Sequence, residues 1–326
     1  MIARPFLILV IAPLDPGEAI AVSGLIPRLL HEIPNARFTI VGGPESAHLF
    51  ADTPELADLI TVPKYDGVGA RLSLTGKLSK RTWGLILDLG GAGISGWLKR
   101  KRRAELKVSE VLDNRTLAVA RILGFEDDPP APFLYTNPEL DAAADEALAG
   151  EGQILAMGPG AEWVGRVWPA ERYGQVASQL MMVPGAPLVN GRIVAFGGEM
   201  DRDAINDSIF PLPRKRIISR PYAQELMTDY AWLKRCRLYI GGDNIWTQAA
   251  AAAGCPTLAL FGPSDDHICA PFGPHVRVVR GPRDFETLRA LDPEFSFQMS
   301  HLTDLTVETV LTAARGLLLK TKDPNA

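Results

Sequence analysis

Paired cysteines are missing from this chain. Its three thiols, Cys236, Cys255 and Cys269, show neither CxxC nor metal-site spacing, so a disulfide framework is excluded and buried thiols in a reducing compartment are expected. Long apolar runs are missing too. The opening MIARPFLILVIAP is too short for a membrane span and ends at a Pro-Leu-Asp-Pro-Gly turn, which reads as a first core strand and not as a signal peptide. A cytoplasmic protein is expected. There is no excess of positive charge, since the formal net charge is -4, and this removes any general drive toward nucleic acid. Internal repeats, low-complexity tracts and an obvious metal-binding cluster are also lacking.

What remains is the composition of a soluble globular protein, 47% hydrophobic and 22% charged over 326 residues, enough for two domains with separate cores. Apolar runs at Phe6 to Ile11, Phe38 to Val41, Leu59 to Val62 and Leu85 to Leu89 alternate with helical segments such as Glu18 to Glu32. A second series follows at Ile154 to Met157, Ile193 to Phe196, Ile217 to Ile218, Leu238 to Ile240, Thr257 to Phe261 and Val276 to Val279. Such βα alternation implies an α/β fold of parallel sheets covered by helices, with ligands at the carboxyl ends of the strands. The prolines at 129, 130 and 132 mark an approach between domains, expected at 1–150 and 151–303, with a closing helical segment at 304–326.

One stretch concentrates the chemistry. Residues 238–263, LYIGGDNIWTQAAAAAGCPTLALFGP, read as a strand, a tight Gly-Gly turn, N-caps at Asp243 and Asn244, a small-residue helix stopped by Gly254 and Pro256, and a further strand. A free helix N-terminus at the end of a parallel strand attracts anionic and polar ligands. The pattern resembles the donor-site signature of glycosyltransferase family 9, the bacterial heptosyltransferase family. Asp243, the alanines, Gly254, Pro256, Phe261, Gly262 and Pro263 match, while Asn244, Ile245 and Gln248 replace the family's Ser, Gly and His. Four further blocks extend the likeness: ILVIAPLDPGEAIAVSGLIPRLL at the start, GPGAEWVGRVWPAERYGQVASQL and AFGGEMDRD in the middle, and DLTVETVLTAARGLL near the end. The resemblance implies a GT-B fold, two Rossmann-like doubly wound domains facing a central cleft, with the C-terminal helix returning to the first domain.

It also implies roles. Transfer of a sugar needs the acceptor hydroxyl deprotonated and the departing diphosphate stabilised. Glu18 stands where the family has the aspartate base, with first-turn support of the helix dipole as the other reading. Arg166 falls where a cation meets the donor phosphates, and Gly158, Gly160 and Ala161 beside it permit close backbone approach. Asp201 corresponds to the acid near the donor ribose, with Glu199 as a substitute and helix capping as the alternative. Asp243 would bind sugar hydroxyls or cap, Asn244 lies beside it, and Gln248 can only position, because an amide does not titrate near neutral pH. Trp246, where proline is usual, would form a wall or fill core.

Basic residues Arg71, Lys99, Arg100 and Arg102 fall where the family meets an acidic lipid-linked or glycan acceptor. Such a zone can also touch the anionic inner membrane, although a solvated helix face is its ordinary meaning. The expected reaction moves heptose from ADP-heptose to a lipopolysaccharide-core or related acceptor, with no metal and no cofactor. Two alternatives stand beside it. One is a GT-B protein that binds nucleotide-sugar without transferring it. The other is an NADP-dependent oxidoreductase, since Gly91, Gly93 and Gly96 satisfy G-x-G-x-x-G after a strand.

Overall fold

The structure is a computed structural model that describes residues 4–65, 67–107, 111, 113–295, 298–321 and 323. The chain divides into two compact units, Met1–Asn137 and Pro138–Ala326. In the first, β1 (Phe6–Ile11), β2 (Ala36–Gly42), β3 (Leu56–Thr61), β4 (Trp83–Asp88) and β5 (Arg100–Glu105) form a sheet in the order β3-β2-β1-β4-β5. In the second, β6 (Ile154–Gly158), β7 (Arg192–Ala195), β8 (Leu238–Gly242), β9 (Thr257–Phe261) and β10 (Val276–Arg280) take the order β10-β9-β8-β6-β7. Every pairing is parallel. Both orders are doubly wound, 3-2-1-4-5 in the first unit and 2-1-3-4-5 in the second when its strands are counted from β6, so each unit has one place where the winding reverses: between β1 and β4, and between β6 and β8. Loops after those strands diverge and leave a crevice.

Central strands are buried on both faces, as the continuous apolar runs require. All six residues of β4 and all five each of β6, β8 and β9 are buried. The helix Ile245–Ala252 lies close to its sheet because Ala249 to Ala252 carry only methyl groups, all buried.

Four expectations are corrected. The boundary falls before 138, not at 150: the helix Pro138–Ala147 belongs to the second unit because Asp141 and Asp145 pair with Lys234 and Arg235 beyond the helix Leu226–Leu233. The closing helix Val307–Lys320, expected to return to the first domain, packs within the second unit on the helix Ala170–Met181 and on β9 and β10. Its buried stripe, Val310, Leu311, Ala314, Leu317 and Leu318, completes the second core, and Arg237 caps its carboxyl end through Leu318 O at 2.8 Å and Thr321 O at 2.9 Å. The basic run at 99–103, given a helix face as its ordinary meaning, climbs an edge strand instead. Charged side chains on such an edge discourage pairing with another chain. Ile217 makes only an isolated bridge to Ile193, so that apolar pair is not a full strand.

Candidate functional site

In the second unit the crevice at the winding reversal is built from the turns that follow β6 and β8. Asn244 joins them. Its Oδ1 accepts from Thr247 N at 3.0 Å and caps the Ile245 helix, while its Nδ2 donates to Gly160 O at 2.8 Å and Gly158 O at 3.3 Å. The cap is thus also the tie between two loops. Replacing Asn244 with alanine is expected to destabilise the protein by about 1–2 kcal/mol, the upper range for a lost N-cap, as a lowered urea midpoint at unchanged slope.

The glycines of the β6 turn are needed for space. A Cβ on Gly158 would lie 1.9 Å from the Tyr239 hydroxyl oxygen, and one on Gly160 would lie 2.0 Å from Asp201 Oδ1. Asp201 itself closes its own turn, its Oδ2 accepting from Gly198 N at 2.8 Å. As N-cap of the helix Arg202–Ile209 its side chain makes no capping bond, so simple N-capping is not realised; the carboxylate reaches back to Gly198 N instead, with the other oxygen against the β6 turn. Glu199 pairs with Arg202 on the surface.

Asp243, at the end of β8, is mostly buried, with 15% of its side chain exposed. Its Oδ2 accepts from Ser264 Oγ at 2.5 Å and lies 3.5 Å from Arg166 Nη1. Arg166 ends the short turn Val164–Arg166 and is 38% exposed, and among the described residues its buried Nε has no hydrogen-bond partner. A carboxylate, a forked cation with an unused donor and a helix N-terminus therefore meet within one loop cluster. That set suits a ligand carrying both hydroxyls and phosphate. Gln248 donates to Cys269 O at 2.8 Å and so holds a neighbouring loop. Ala161 is half-buried in the β6 turn.

Sequence reasoning missed Ser264, which reaches Asp243 from the turn after β9, and it gave Trp168 and Arg172 no separate role. These two hold the frame: Trp168 Nε1 donates to Leu305 O at 2.9 Å, and Arg172 Nη1 donates to Thr303 O at 2.8 Å and Leu305 O at 2.7 Å.

In the first unit, Glu18 lies in the first turn of the helix Pro16–Val22, just after β1. Asp15 caps that helix, accepting from Glu18 N at 2.8 Å. The Glu18 carboxylate is 45% exposed and accepts from Arg115 Nη2 at 2.5 Å, and Arg115 is only 13% exposed. Arg115 opens the helix Arg115–Leu123, which Thr116 Oγ1 ties to Ala21 O at 2.8 Å. Partial burial pushes the Glu18 carboxyl above its ordinary pKa, Arg115 pulls it back and Asp15 adds to the rise. A residue 97 positions away orients the carboxylate, and no local motif signals it.

The basic residues are not brought together. Arg71 donates to Tyr65 O at 3.2 Å and lies near Gly93, beyond the carboxyl end of β4. Lys99 and Arg100 lie at the opposite end of the sheet, where Arg100 is in register with Trp83. Arg100 is occupied, donating to Gly96 O at 3.0 Å and Leu98 O at 2.8 Å. Arg102 is exposed on the edge strand.

The Gly91-Gly93-Gly96 loop is also not a dinucleotide cradle. Asp88 accepts from Ala92 N at 3.0 Å and Gly93 N at 3.2 Å, taking amides a phosphate would need, and the short turn Ser95–Trp97 leads directly to β5 with no intervening helix. Among the described residues, no group of three or more His, Cys, Asp or Glu side chains is placed to hold a metal, and no helix is long and apolar enough to cross a membrane.

Residues 88–294 match the family model of Glycosyltransferase family 9 (heptosyltransferase). The chain is 26% identical to lipopolysaccharide heptosyltransferase 2 of Escherichia coli, covering 96% of this chain and 99% of that protein. It is 24% identical to lipooligosaccharide heptosyltransferase 2 of Haemophilus influenzae, over 96% and 99% of the two chains. Its fold is shared with the structure of E. coli ADP-heptose LPS heptosyltransferase II, at TM-score 0.71 and 20% identity over 96% and 98% of the chains. A family 9 glycosyltransferase from Veillonella parvula superposes at TM-score 0.77 with 18% identity, over 98% and 99%.

Proposed function

The chain belongs to glycosyltransferase family 9, and from that premise we propose that it moves a heptose from ADP-heptose to a lipopolysaccharide-core or related glycan acceptor. The observation that supports this reading is the loop cluster of the second unit, where Arg166 with its unpartnered Nε, Asp243 and the N-terminus of the Ile245 helix converge. Arg166 and the helix amides would take the diphosphate, and Asp243, steadied by Ser264, would accept from sugar hydroxyls. Asp201 is proposed to face the ribose, and the Gly158–Ala161 turn to let the nucleotide approach the backbone. Arg71, on the ligand end of the first sheet, is better placed for an acidic acceptor than Lys99 or Arg100. Basic edge residues such as Arg102 are proposed to face the anionic membrane that carries a lipid-linked acceptor.

The step balances without a metal or cofactor. The acceptor oxygen attacks the anomeric carbon, its proton passes to Glu18, the bond from that carbon to the phosphate oxygen breaks, and ADP leaves with the charge spread over Arg166 and the amides. Glu18 has the environment of a base, raised by burial yet held by Arg115. Incubation with ADP-heptose and a core acceptor should release ADP and add one heptose by mass. Calorimetric titration should show ADP binding and no NADPH binding, and the reverse pattern would overturn the proposal.

Arg115 supplies a pH test. Its cation favours the charged form of Glu18, so Arg115→Met removes a lowering influence and the carboxyl pKa rises further. Because the base works ionised, the acidic limb of kcat/KM against pH is expected to move to higher pH. A limb that stays in place would show that Glu18 does not titrate in the reaction.

A further inference from the structure

Beside the ligand end of the second unit lies a buried ion pair that the transfer step does not use. The side chains of Arg220 and Asp229 are 2% and 1% exposed. Arg220 Nε donates to Asp229 Oδ1 at 2.6 Å and Nη2 donates to the other oxygen. Gln224 Nε2 adds a bond to Oδ1 at 2.8 Å, and Trp246 Nε1 adds one to Oδ2 at 2.7 Å. Burial pushes the Asp229 carboxyl up, while Arg220, Trp246 and Gln224 oppose the rise. Taking two ions out of water costs about as much as their attraction returns, so such a pair is a weak source of stability. Its worth lies in the segments it holds.

Those segments carry the ligand turns. Arg220 Nη1 donates to Gly197 O at 2.7 Å, at the start of the turn that Asp201 closes through Gly198 N. The guanidinium also lies over the Phe196 and Trp246 rings, 5.5 and 5.9 Å from their centroids. Trp246 is the second residue of the Ile245 helix, whose cap Asn244 holds the β6 turn. On its far side the β6 turn meets Asp201 at Gly160. The contacts therefore close a ring: Asn244, the β6 turn, Asp201, Gly197, Arg220, Asp229 and Trp246. It spans β8, β6 and β7, three neighbouring strands, or about 10 Å from first to last.

We propose that Arg220, Asp229 and Trp246 are positioning residues that set the separation of the 198–201 turn from the N-terminus of the Ile245 helix, and thereby the affinity for the nucleoside diphosphate. This rests on reading that loop cluster as the donor site. A directional ion pair and an indole N–H fix a distance that apolar packing alone would leave adjustable.

The test uses the full chain with two variants, Arg220→Met/Asp229→Leu, which replaces both charges by apolar groups of similar size, and Trp246→Phe, which keeps a ring and deletes the N–H. The double variant is expected to retain cooperative melting, to bind ADP at least tenfold more weakly and to raise donor KM with little change in kcat at saturation. Amide exchange should quicken at both 198–201 and 245–247. Trp246→Phe should show the same changes at smaller size, and it decides alone if the double variant does not fold. A folded variant with unaltered ADP affinity and unaltered exchange at the two turns would overturn the proposal. If the unaltered protein bound no ADP, the donor reading would fall and the affinity claim with it; quicker exchange at both turns would still support the fixed separation.

Discussion

Replacing Glu18 with glutamine is expected to reduce kcat for sugar transfer by roughly 10²–10⁴-fold, the usual contribution of a positioned general base. The substitution keeps size and leaves an amide oxygen that can still accept from Arg115, so the 2.5 Å contact that orients the side chain has a substitute. The backbone bond from residue 18 to Asp15 is untouched. With a side chain 45% exposed, little stability is at stake, and the loss should be purely chemical. Proton acceptance disappears, together with the charge that faces Arg115. ADP affinity, which we propose to lie with the second unit, should stay within twofold, and the melting temperature should stay nearly constant. If kcat fell less than tenfold with a saturating donor, the proton would be going elsewhere, and Glu18 would be reduced to its other reading as a first-turn acid in favourable contact with the helix dipole.

Arg166→Ala is expected to lower kcat/KM by about 10²–10³-fold, the loss typical of removing one donor from a developing anion. The geometry gives the reason. An unpartnered buried N–H costs about 1–3 kcal/mol, and among the described residues Arg166 Nε is in that condition. A diphosphate oxygen would satisfy it while the outer nitrogens of the same guanidinium reach a second oxygen. The partial ion pair to Asp243 at 3.5 Å is long enough to yield to a better anion. Arg166→Lys should recover charge but not the fork, leaving activity between the two. Product inhibition by ADP should weaken in parallel with the rate. If ADP affinity and kcat/KM both survived alanine, the phosphate would be held by the helix amides alone.

Much of this site is legible in the amino-acid sequence. The Asn244 cap on Thr247 and the alanine helix act between residues close in sequence, and their spacing carries their geometry; Gly241 and Gly242, read as a turn, are the last two residues of β8, and the β6-turn glycines answer to Tyr239 and Asp201, far along the chain. Arg115, Ser264 and the Arg220–Asp229 pair are not legible in that way. Arg115 meets Glu18 across 97 positions and Ser264 meets Asp243 across 21, so only the packing of separate βα units makes either contact. Arg220 and Asp229 are nine residues apart, yet they also join Gly197 and Trp246 from other elements.

By itself the sequence determined the alternation of apolar strands and helices, and hence two parallel sheets with ligand turns at their carboxyl ends, because burial on both faces demands continuous apolar runs. It also carried enough of the family's motifs to name the chemistry. Tertiary structure decided what periodicity cannot encode. The basic run became an edge strand because β4 offered it hydrogen bonds in register. The closing helix stayed with the second unit because its apolar stripe fits that core. The alternatives at Glu18, Asp201 and Trp246 were separated only as far as their neighbours allow: an arginine beside the first, its own turn amide on the second, and a buried carboxylate under the third.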